Sequence, residues 1–150
     1  MSYQEKNITV SLVSQIMILG FYLANWFQMY REEGLNSAKV FVLWGAVIAA
    51  AIIVNIAGSI LTNIVLSIVH AIKTKGNEEE RFIADERDKL IELKGIKVSY
   101  ITFSIGVLLA MLTFVFGQPP LVMFSLLILF SFVAEIIGDI SQIYIYRRGF

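Results

Sequence analysis

Four long apolar runs constrain this chain more than any other feature of its sequence. They lie at about 8–30, 40–66, 98–117 and 120–146. A helix needs about 20 apolar residues to cross a hydrocarbon core of roughly 30 Å. At 57% hydrophobic and 16% charged residues, the 150-residue chain is too apolar for a soluble domain. The sequence therefore predicts a single all-α membrane domain, 1–150, with four transmembrane helices.

The connections between these runs predict two helical hairpins. A short polar segment, 31–39, joins the first two runs, and Gln118, Pro119 and Pro120 join the last two. Proline is favoured at the first position of a helix, where its missing N–H is not needed, so the second connection predicts a tight turn. The connection at 67–97 is the longest one, and it carries most of the charge.

Lys and Arg residues are distributed unevenly between the two predicted sides of the membrane. Ten of the twelve lie on the side of the termini and the long connection: Lys6, Lys73, Lys75, Arg81, Arg87, Lys89, Lys94, Lys97, Arg147 and Arg148. Arg31 and Lys39 lie on the other side. Cytoplasmic loops of membrane proteins carry the excess of Lys and Arg. We therefore expect a multi-pass protein whose N- and C-termini are both cytoplasmic.

Two pairs of segments predict an internal repeat. With an offset of 80 residues, "VNIAGSILT" at 54–62 aligns with "AEIIGDISQ" at 134–142. With an offset of 88 residues, "KNITVS" at 6–11 aligns with "KGIKVS" at 94–99. We expect two similar hairpins related by an axis along the membrane normal, which is the geometry of a parallel repeat.

A polar stripe inside the last apolar run is the strongest functional feature. Glu135, Asp139 and Gln142 are spaced to share one face of a helix. Further polar residues at similar depth in the first two runs are Asn55, Ser59, Thr62, Asn63 and Gln15. A carboxylate inside a bilayer costs several kcal/mol, so it is expected to face the bundle or a wet cavity. The stripe predicts an ion- or ligand-binding site; the alternative is hydrogen bonding between helices.

The chain carries none of the motifs that indicate a reaction. It has no cysteine, and its one histidine, His70, is predicted to lie outside the membrane span. There is no nucleophile–histidine arrangement, no H-E-x-x-H and no glycine-rich phosphate loop. The net charge is zero, which gives no general attraction to nucleic acid. We expect no enzymatic activity, no metal site and no nucleic-acid partner, and the sequence names no cofactor.

The charged segment 77–97 predicts a cytoplasmic amphipathic helix that leads into the third run. Asp85 and Lys89 are spaced as a favourable helical ion pair, and Gly95 is a candidate helix break. A docking surface for a cytoplasmic partner would use four charged residues of this segment: Arg87, Lys94, Asp85 and Asp88. The alternative is a solvated helix on the membrane face.

A short pattern in this segment resembles that of a known group of proteins. Its residues are Asp85, Glu86, Arg87, Asp88, Ile91 and Lys94. They resemble the D-E-R-D-x-x-I-x-x-(K/R) segment that precedes the third span in a group of small bacterial four-span proteins. The resemblance covers the second half of the chain and implies a bacterial inner-membrane protein without an established activity. Members of that group are often encoded beside small helix-turn-helix regulators, which implies a regulatory pairing.

Two functions are compatible with these features. The favoured one is a sensory or regulatory membrane protein that binds a small ligand or a lipid and acts through its cytoplasmic helix. The alternative is a small transporter that uses Glu135 and Asp139 for a proton or cation. Close helix packing, within the chain or across a homodimer, is predicted at four small residues: Gly45, Ala46, Ala49 and Ala50.

Overall fold

A computed structural model of the chain contains four long helices. It describes residues 3–32, 36–73 and 86–148, with side chains for 5–31, 36–58, 60, 64 and 86–148. The helices are α1 (Tyr3–Glu32), α2 (Ser37–Lys73), α3 (Glu86–Val115) and α4 (Pro120–Arg148). By length and composition, all four are able to cross a membrane. The prediction of an all-helical chain with four such helices is confirmed.

The third helix is longer than its apolar run. α3 begins at Glu86 and continues through Gly95 without interruption, so the expected break at Gly95 was wrong. Gly95 is buried against Gln142 of α4, and its small size serves helix packing at this position. From Glu86 onward the predicted amphipathic segment is therefore the first part of α3. Its residues 77–85 lie outside the described part of the chain.

A glycine closes the connection between α3 and α4. Gly117 has a φ of 81°, a left-handed conformation that side chains disfavour. The Gly117 N–H donates to the Phe114 carbonyl at 3.0 Å, and the Gln118 N–H donates to the Thr113 carbonyl at 3.1 Å. This pair of bonds is the Schellman motif, which satisfies carbonyls at a helix C-terminus. α4 then begins at Pro120, so the whole reversal is made by local backbone chemistry.

The connection between α1 and α2 ends with a helix cap. The Asn36 side-chain oxygen accepts a hydrogen bond from the Ala38 N–H at 2.9 Å, immediately before α2 begins at Ser37. Asparagine is among the best residues at this position, because its oxygen satisfies an N–H that has no partner within the helix. Both hairpin connections lie at the same end of the bundle, which we call the hairpin end; the opposite end is the terminal end.

The fourth helix is the centre of the bundle. α4 contacts each of the other helices and α1 also contacts α2, whereas α3, among the described residues, makes extensive contact with α4 alone. The largest core cluster consists of Tyr22 of α1, Leu43 and Val47 of α2, and Ile128 and Phe132 of α4. A three-helix core is therefore formed by α1, α2 and α4, and α3 is attached to the α4 side of it.

Small residues bring α3 and α4 close together. A Cβ atom added at Gly138 would overlap the Ser99 hydroxyl and would lie 3.2 Å from the Gly95 carbonyl oxygen. A Cβ atom at Gly106 would similarly collide with the Phe130 side chain. Small residues at such contacts let helix backbones approach each other, which is how membrane helices gain packing energy.

The small residues of α2 have a different environment. Gly45, Ala46 and Ala49 are exposed, and a Cβ atom at Gly45 would meet nothing within 4 Å among the described residues. These three residues therefore do not provide close helix packing within the described part of the chain. Their packing across a homodimer stays a prediction.

Two polar contacts tie α4 to its neighbours at the terminal end. The Tyr146 hydroxyl donates to Asp88 Oδ1 in the first turn of α3 at 2.7 Å. Arg147 Nε donates to Glu5 Oε1 in the first turn of α1 at 3.1 Å. The first residues of α1 and α3 are therefore both attached to the last residues of α4.

Candidate ligand-binding site

A polar cleft lies between α1, α2 and α4, in the half of the bundle nearer the terminal end. Its volume is about 200 Å³. It is lined by Asn7, Ile8, Val10, Ser11 and Ser14 of α1, Val54, Asn55 and Gly58 of α2, and Asp139 of α4. None of these described lining residues carries a positive charge. The Asp139 carboxylate, when ionised, therefore dominates the electrostatic potential inside the cleft.

Asp139 is the chemical centre of this cleft. Its side chain is half-buried, and the Ser11 side chain is close enough to hydrogen-bond with its carboxyl group. Its Oδ2 atom is buried and has no hydrogen-bond partner among the described residues. Leaving a buried acceptor unsatisfied costs about 1–3 kcal/mol, and more when the group is charged. A ligand that donates to Oδ2 or carries positive charge would remove that cost.

Glu135 lies one helical turn from Asp139 but outside the cleft lining. The two carboxyl groups are near enough to repel each other electrostatically. At about 100° per residue, Asp139 lies about 40° from Glu135 in one direction around α4, and Gln142 lies about 20° from Glu135 in the other direction. Glu135 is exposed at this intermediate position. It is therefore on the surface of the bundle, between the face of α4 that lines the cleft and the face that contacts α3.

Gln142 belongs to the contact between α3 and α4. Its side chain packs against Gly95, where an added Cβ atom would overlap it. Gln142 is half-buried there and does not line the cleft with Asp139. The predicted stripe therefore divides among three environments: a helix contact at Gln142, an exposed surface position at Glu135 and a polar cleft at Asp139.

The other predicted site residues are only partly brought together. Asn55 lines the cleft opposite Asp139, as its place in the predicted stripe of α2 implies. Gln15 follows the lining residue Ser14 in α1 and is buried, but it does not line the cleft. Its Oε1 atom has no hydrogen-bond partner among the described residues. The side chains of Ser59, Thr62 and Asn63 lie outside those that the structure describes.

Sequence reasoning missed the contribution of α1 to the cleft. Asn7, Ser11 and Ser14 all line it, and they were not among the predicted site residues. Their spacing of four and then three residues is the same as that of Glu135, Asp139 and Gln142. A search for this spacing in the first run would have found them, since residues at i, i+4 and i+7 share a helix face.

The predicted docking residues on α3 have different surroundings. Arg87 and Lys94 are exposed, whereas Asp88 is half-buried and accepts the hydrogen bond from Tyr146. Asp85 lies outside the described residues. Arg87 and Lys94 are therefore the members of this set whose side chains are accessible to a partner in the structure.

The oxygen atoms that line the cleft favour a hard cation or an ammonium group as the ligand. Carboxylate, amide and hydroxyl oxygens suit such ions, whereas transition metals prefer nitrogen or sulfur ligands. Among the described residues, no three His, Cys, Asp or Glu side chains are grouped as a metal site would need. The His70 side chain is not one of those described.

Comparison with known proteins found no matching family model, no matching curated protein and no matching solved structure. The resemblance at 85–94 therefore stays a prediction. The geometry of the cleft is the firmest basis for a function.

Proposed function

We propose that this chain is a regulatory membrane protein that binds a small cation or protonated amine at Asp139. The observation that carries the proposal is the buried Oδ2 atom of Asp139, which has no hydrogen-bond partner among the described residues and lies beside a polar cleft. Because no described lining residue is positively charged, the cleft attracts cations and repels anions. Binding a cation would offset both the buried charge and the unmade hydrogen bond.

The size of the cleft limits the ligand. Its volume of about 200 Å³ has room for a few water molecules, since each occupies about 30 Å³ in the liquid. An alkali-metal ion with part of its hydration shell, or a short-chain ammonium ion, is of suitable size. Neutral side-chain oxygens in the lining can replace the water that either ligand loses; they belong to Asn7, Ser11, Ser14 and Asn55.

A route from the cleft to the cytoplasmic part of α3 supports a regulatory role. Gly138, next to Asp139, packs directly on Ser99 and on the Gly95 backbone of α3. α3 is one continuous helix from this contact to Glu86, and Tyr146 fixes its first turn through Asp88. A change in α4 at Asp139 would therefore shift the helix that carries the exposed Arg87 and Lys94.

Ligand binding is tested by the thermal stability of the purified protein in lipid nanodiscs. Sodium, potassium and methylammonium chloride are compared at constant ionic strength with N-methylglucamine chloride, whose cation is too large for the cleft. A ligand present at 100 times its Kd stabilises a folded protein by about 2.7 kcal/mol. We expect at least one small cation to raise the melting temperature of the wild type.

The variant Asp139→Asn should lose this stabilisation, and Ser11→Ala should weaken it. Glu92→Gln removes the same charge from an exposed position on α3 and serves as the matched control. If no small cation stabilises the wild type more than N-methylglucamine does, or if Asp139→Asn responds as the wild type does, the proposed cation site is wrong.

A second candidate function is coupled transport of a proton or cation. It is favoured by the position of Glu135, which is exposed beside the half-buried Asp139, so that the pair offers two carboxylates of different accessibility. The test is ion flux into proteoliposomes, followed with a pH-sensitive dye, for the wild type and Glu135→Gln. Flux that requires Glu135 would support transport. Flux equal to that of protein-free liposomes would leave binding and regulation as the function.

We also propose that both termini face the cytoplasm of a bacterial cell, from the excess of Lys and Arg on the terminal side. The chain has no cysteine, so single introduced cysteines report topology cleanly. Cysteines at Ser2, Asn77 and Phe150 should react only with reagent on the cytoplasmic side, and one at Asn36 only with reagent outside. Labelling of Asn77 from outside would invert the proposed orientation.

The regulatory partner is proposed to bind the cytoplasmic part of α3. Replacing both Arg87 and Lys94 with Glu should remove a co-purifying cytoplasmic protein and leave membrane insertion unchanged. The control is Arg31→Glu, which reverses an exposed charge at the hairpin end and lies outside both proposed sites. The same set of co-purifying proteins in all three samples would favour the solvated-helix alternative.

A further inference from the structure

A second cavity lies at the hairpin end, between α1 and α2. It has a volume of about 390 Å³, larger than the cleft at Asp139, and its walls are mostly apolar. Met29 of α1 and Val42, Leu43 and Ala46 of α2 form the apolar part, and Asn25 and Lys39 supply its polar groups. The cavity is an open groove rather than an enclosed pocket.

The groove arises from the way α1 and α2 pack. Val40, Leu43 and Val47 of α2 are buried. On the adjoining side of α2, Ala46 is too small to fill the space beside Met29, and a furrow is left along the helix pair. Its lining on α2 extends from Ala38 to Ala46, a rise of about 12 Å at 1.5 Å per residue, which is long enough for part of an acyl chain. Within a bilayer the acyl chain is not taken out of water, so van der Waals packing against these apolar walls is what holds it.

Charge at one end of the groove indicates which lipid it suits. Lys39 lies in the first turn of α2, where the positive end of the helix dipole also favours an anion. Near the same end, Trp26 stacks on the exposed Tyr30, with ring centroids 5.4 Å apart. Tryptophan and tyrosine are enriched at the level of lipid headgroups. A lipid whose tail lies in the groove therefore has its headgroup level with Lys39.

We infer that this groove is a binding site for an anionic membrane lipid, with one acyl chain along Met29, Val42 and Ala46 and the headgroup beside Lys39. The site is separate from the cleft at Asp139, which lies towards the opposite end of the bundle and attracts cations. A zwitterionic lipid fits the apolar walls equally well but gains less from Lys39. Selectivity for headgroup charge is therefore the property that distinguishes this site from ordinary contact with bilayer lipid.

The experiment is native mass spectrometry of the detergent-purified protein, titrated with phosphatidylglycerol or with phosphatidylcholine of the same acyl chains. We expect one phosphatidylglycerol to bind about fivefold more tightly than phosphatidylcholine, the ratio that one Lys beside an anionic headgroup provides. Ala46→Phe fills the groove and should weaken binding of both lipids by about tenfold. Lys39→Gln should leave the groove open and bring the two affinities to within about twofold of each other.

Two matched variants control for general effects. Ala49→Phe enlarges another exposed alanine of α2 that does not line the groove, and Arg31→Gln removes the other basic residue of the hairpin end. Both should bind phosphatidylglycerol as the wild type does. Equal affinities of the wild type for the two lipids, equal losses in Ala46→Phe and Ala49→Phe, or retained selectivity in Lys39→Gln would each overturn the inference.

Discussion

The two hairpins of this protein are built from similar lengths of helix but are packed in different ways. In the hairpin of α3 and α4, a Cβ atom at Gly138 would overlap Ser99 of the neighbouring helix. In the hairpin of α1 and α2, Gly58 occupies the position that the predicted repeat aligns with Gly138. A Cβ atom there would meet nothing within 4 Å among the described residues, because Gly58 lines the cleft.

This difference gives the two aligned segments different surroundings. Close backbone contact makes α3 and α4 a compact pair, and it uses the side chain of Gln142 in packing. Looser packing around α1 and α2 leaves both cavities, one at Asp139 and one at Lys39. We therefore regard the α3–α4 pair as the scaffold and the surroundings of α1 and α2, including the Asp139 side of α4, as the part that holds both proposed sites. The repeat itself stays a prediction, and the predictions that follow test the contrast.

Enlarging the aligned glycines should have the largest effect. Gly138→Val should lower the free energy of unfolding by about 3 kcal/mol, because its side chain must displace Ser99 and the α3 backbone. Gly58→Val should change the free energy of unfolding by no more than about 0.5 kcal/mol. The new side chain projects into open space, and valine has a better helix propensity than glycine. Unfolding by SDS in mixed micelles measures both. Equal losses would remove the contrast between the hairpins.

The turn of the compact hairpin is the next test. Gly117→Ala should cost about 1.5 kcal/mol, because an L-residue is disfavoured at its φ of 81°. Gly45→Ala, at an exposed helical position of α2, should instead stabilise the protein by about 0.5–1 kcal/mol. The same micelle titration compares them. A Gly117→Ala variant as stable as the wild type would mean that the turn adapts and does not constrain the hairpin.

A smaller effect is expected where α1 joins the scaffold. The buried Tyr22 hydroxyl donates to the Ser125 carbonyl of α4 at 2.8 Å. Tyr22→Phe should therefore cost about 1 kcal/mol, the net value of a typical hydrogen bond. Tyr144→Phe removes a hydroxyl from an exposed ring of α4 and should change stability much less. Equal effects of the two changes would show that the hydroxyl of Tyr22 contributes nothing specific to this junction.

The smallest effect is expected at the terminal end of α1. In this pair the Arg147 side chain is 67% exposed and that of Glu5 only 10%, so water solvates the guanidinium and Arg147→Gln should cost about 0.5–1 kcal/mol. Salt screens the exposed guanidinium, so the difference from the wild type should become smaller in 1 M NaCl, where the screening length is about 3 Å. Unfolding of the wild type and Arg147→Gln at low and high salt measures this loss of stability. A larger, salt-independent loss would indicate that this contact holds α1 in place.

The local features of the fold could be predicted from the sequence because their causes are local. The number of helices follows from four apolar runs long enough to cross a bilayer, and the start of α4 follows from Pro120. The expected break at Gly95 failed for the opposite reason. Glycine can end a helix or allow two helices to touch, and only the presence of Gln142 on the neighbouring helix decides between these roles.

The sequence by itself determined that polar groups lie within the spans, since Glu135, Asp139 and Gln142 follow a helical spacing in an apolar run. The tertiary structure alone decided which of them meet. Because α4 has neighbours on several sides, rotations of about 20–60° around its axis separate a cleft, an exposed position and a helix contact. Asp139 faces Ser11 and Asn55 because α1 and α2 pack loosely there, and this packing depends on the shapes of all three helices.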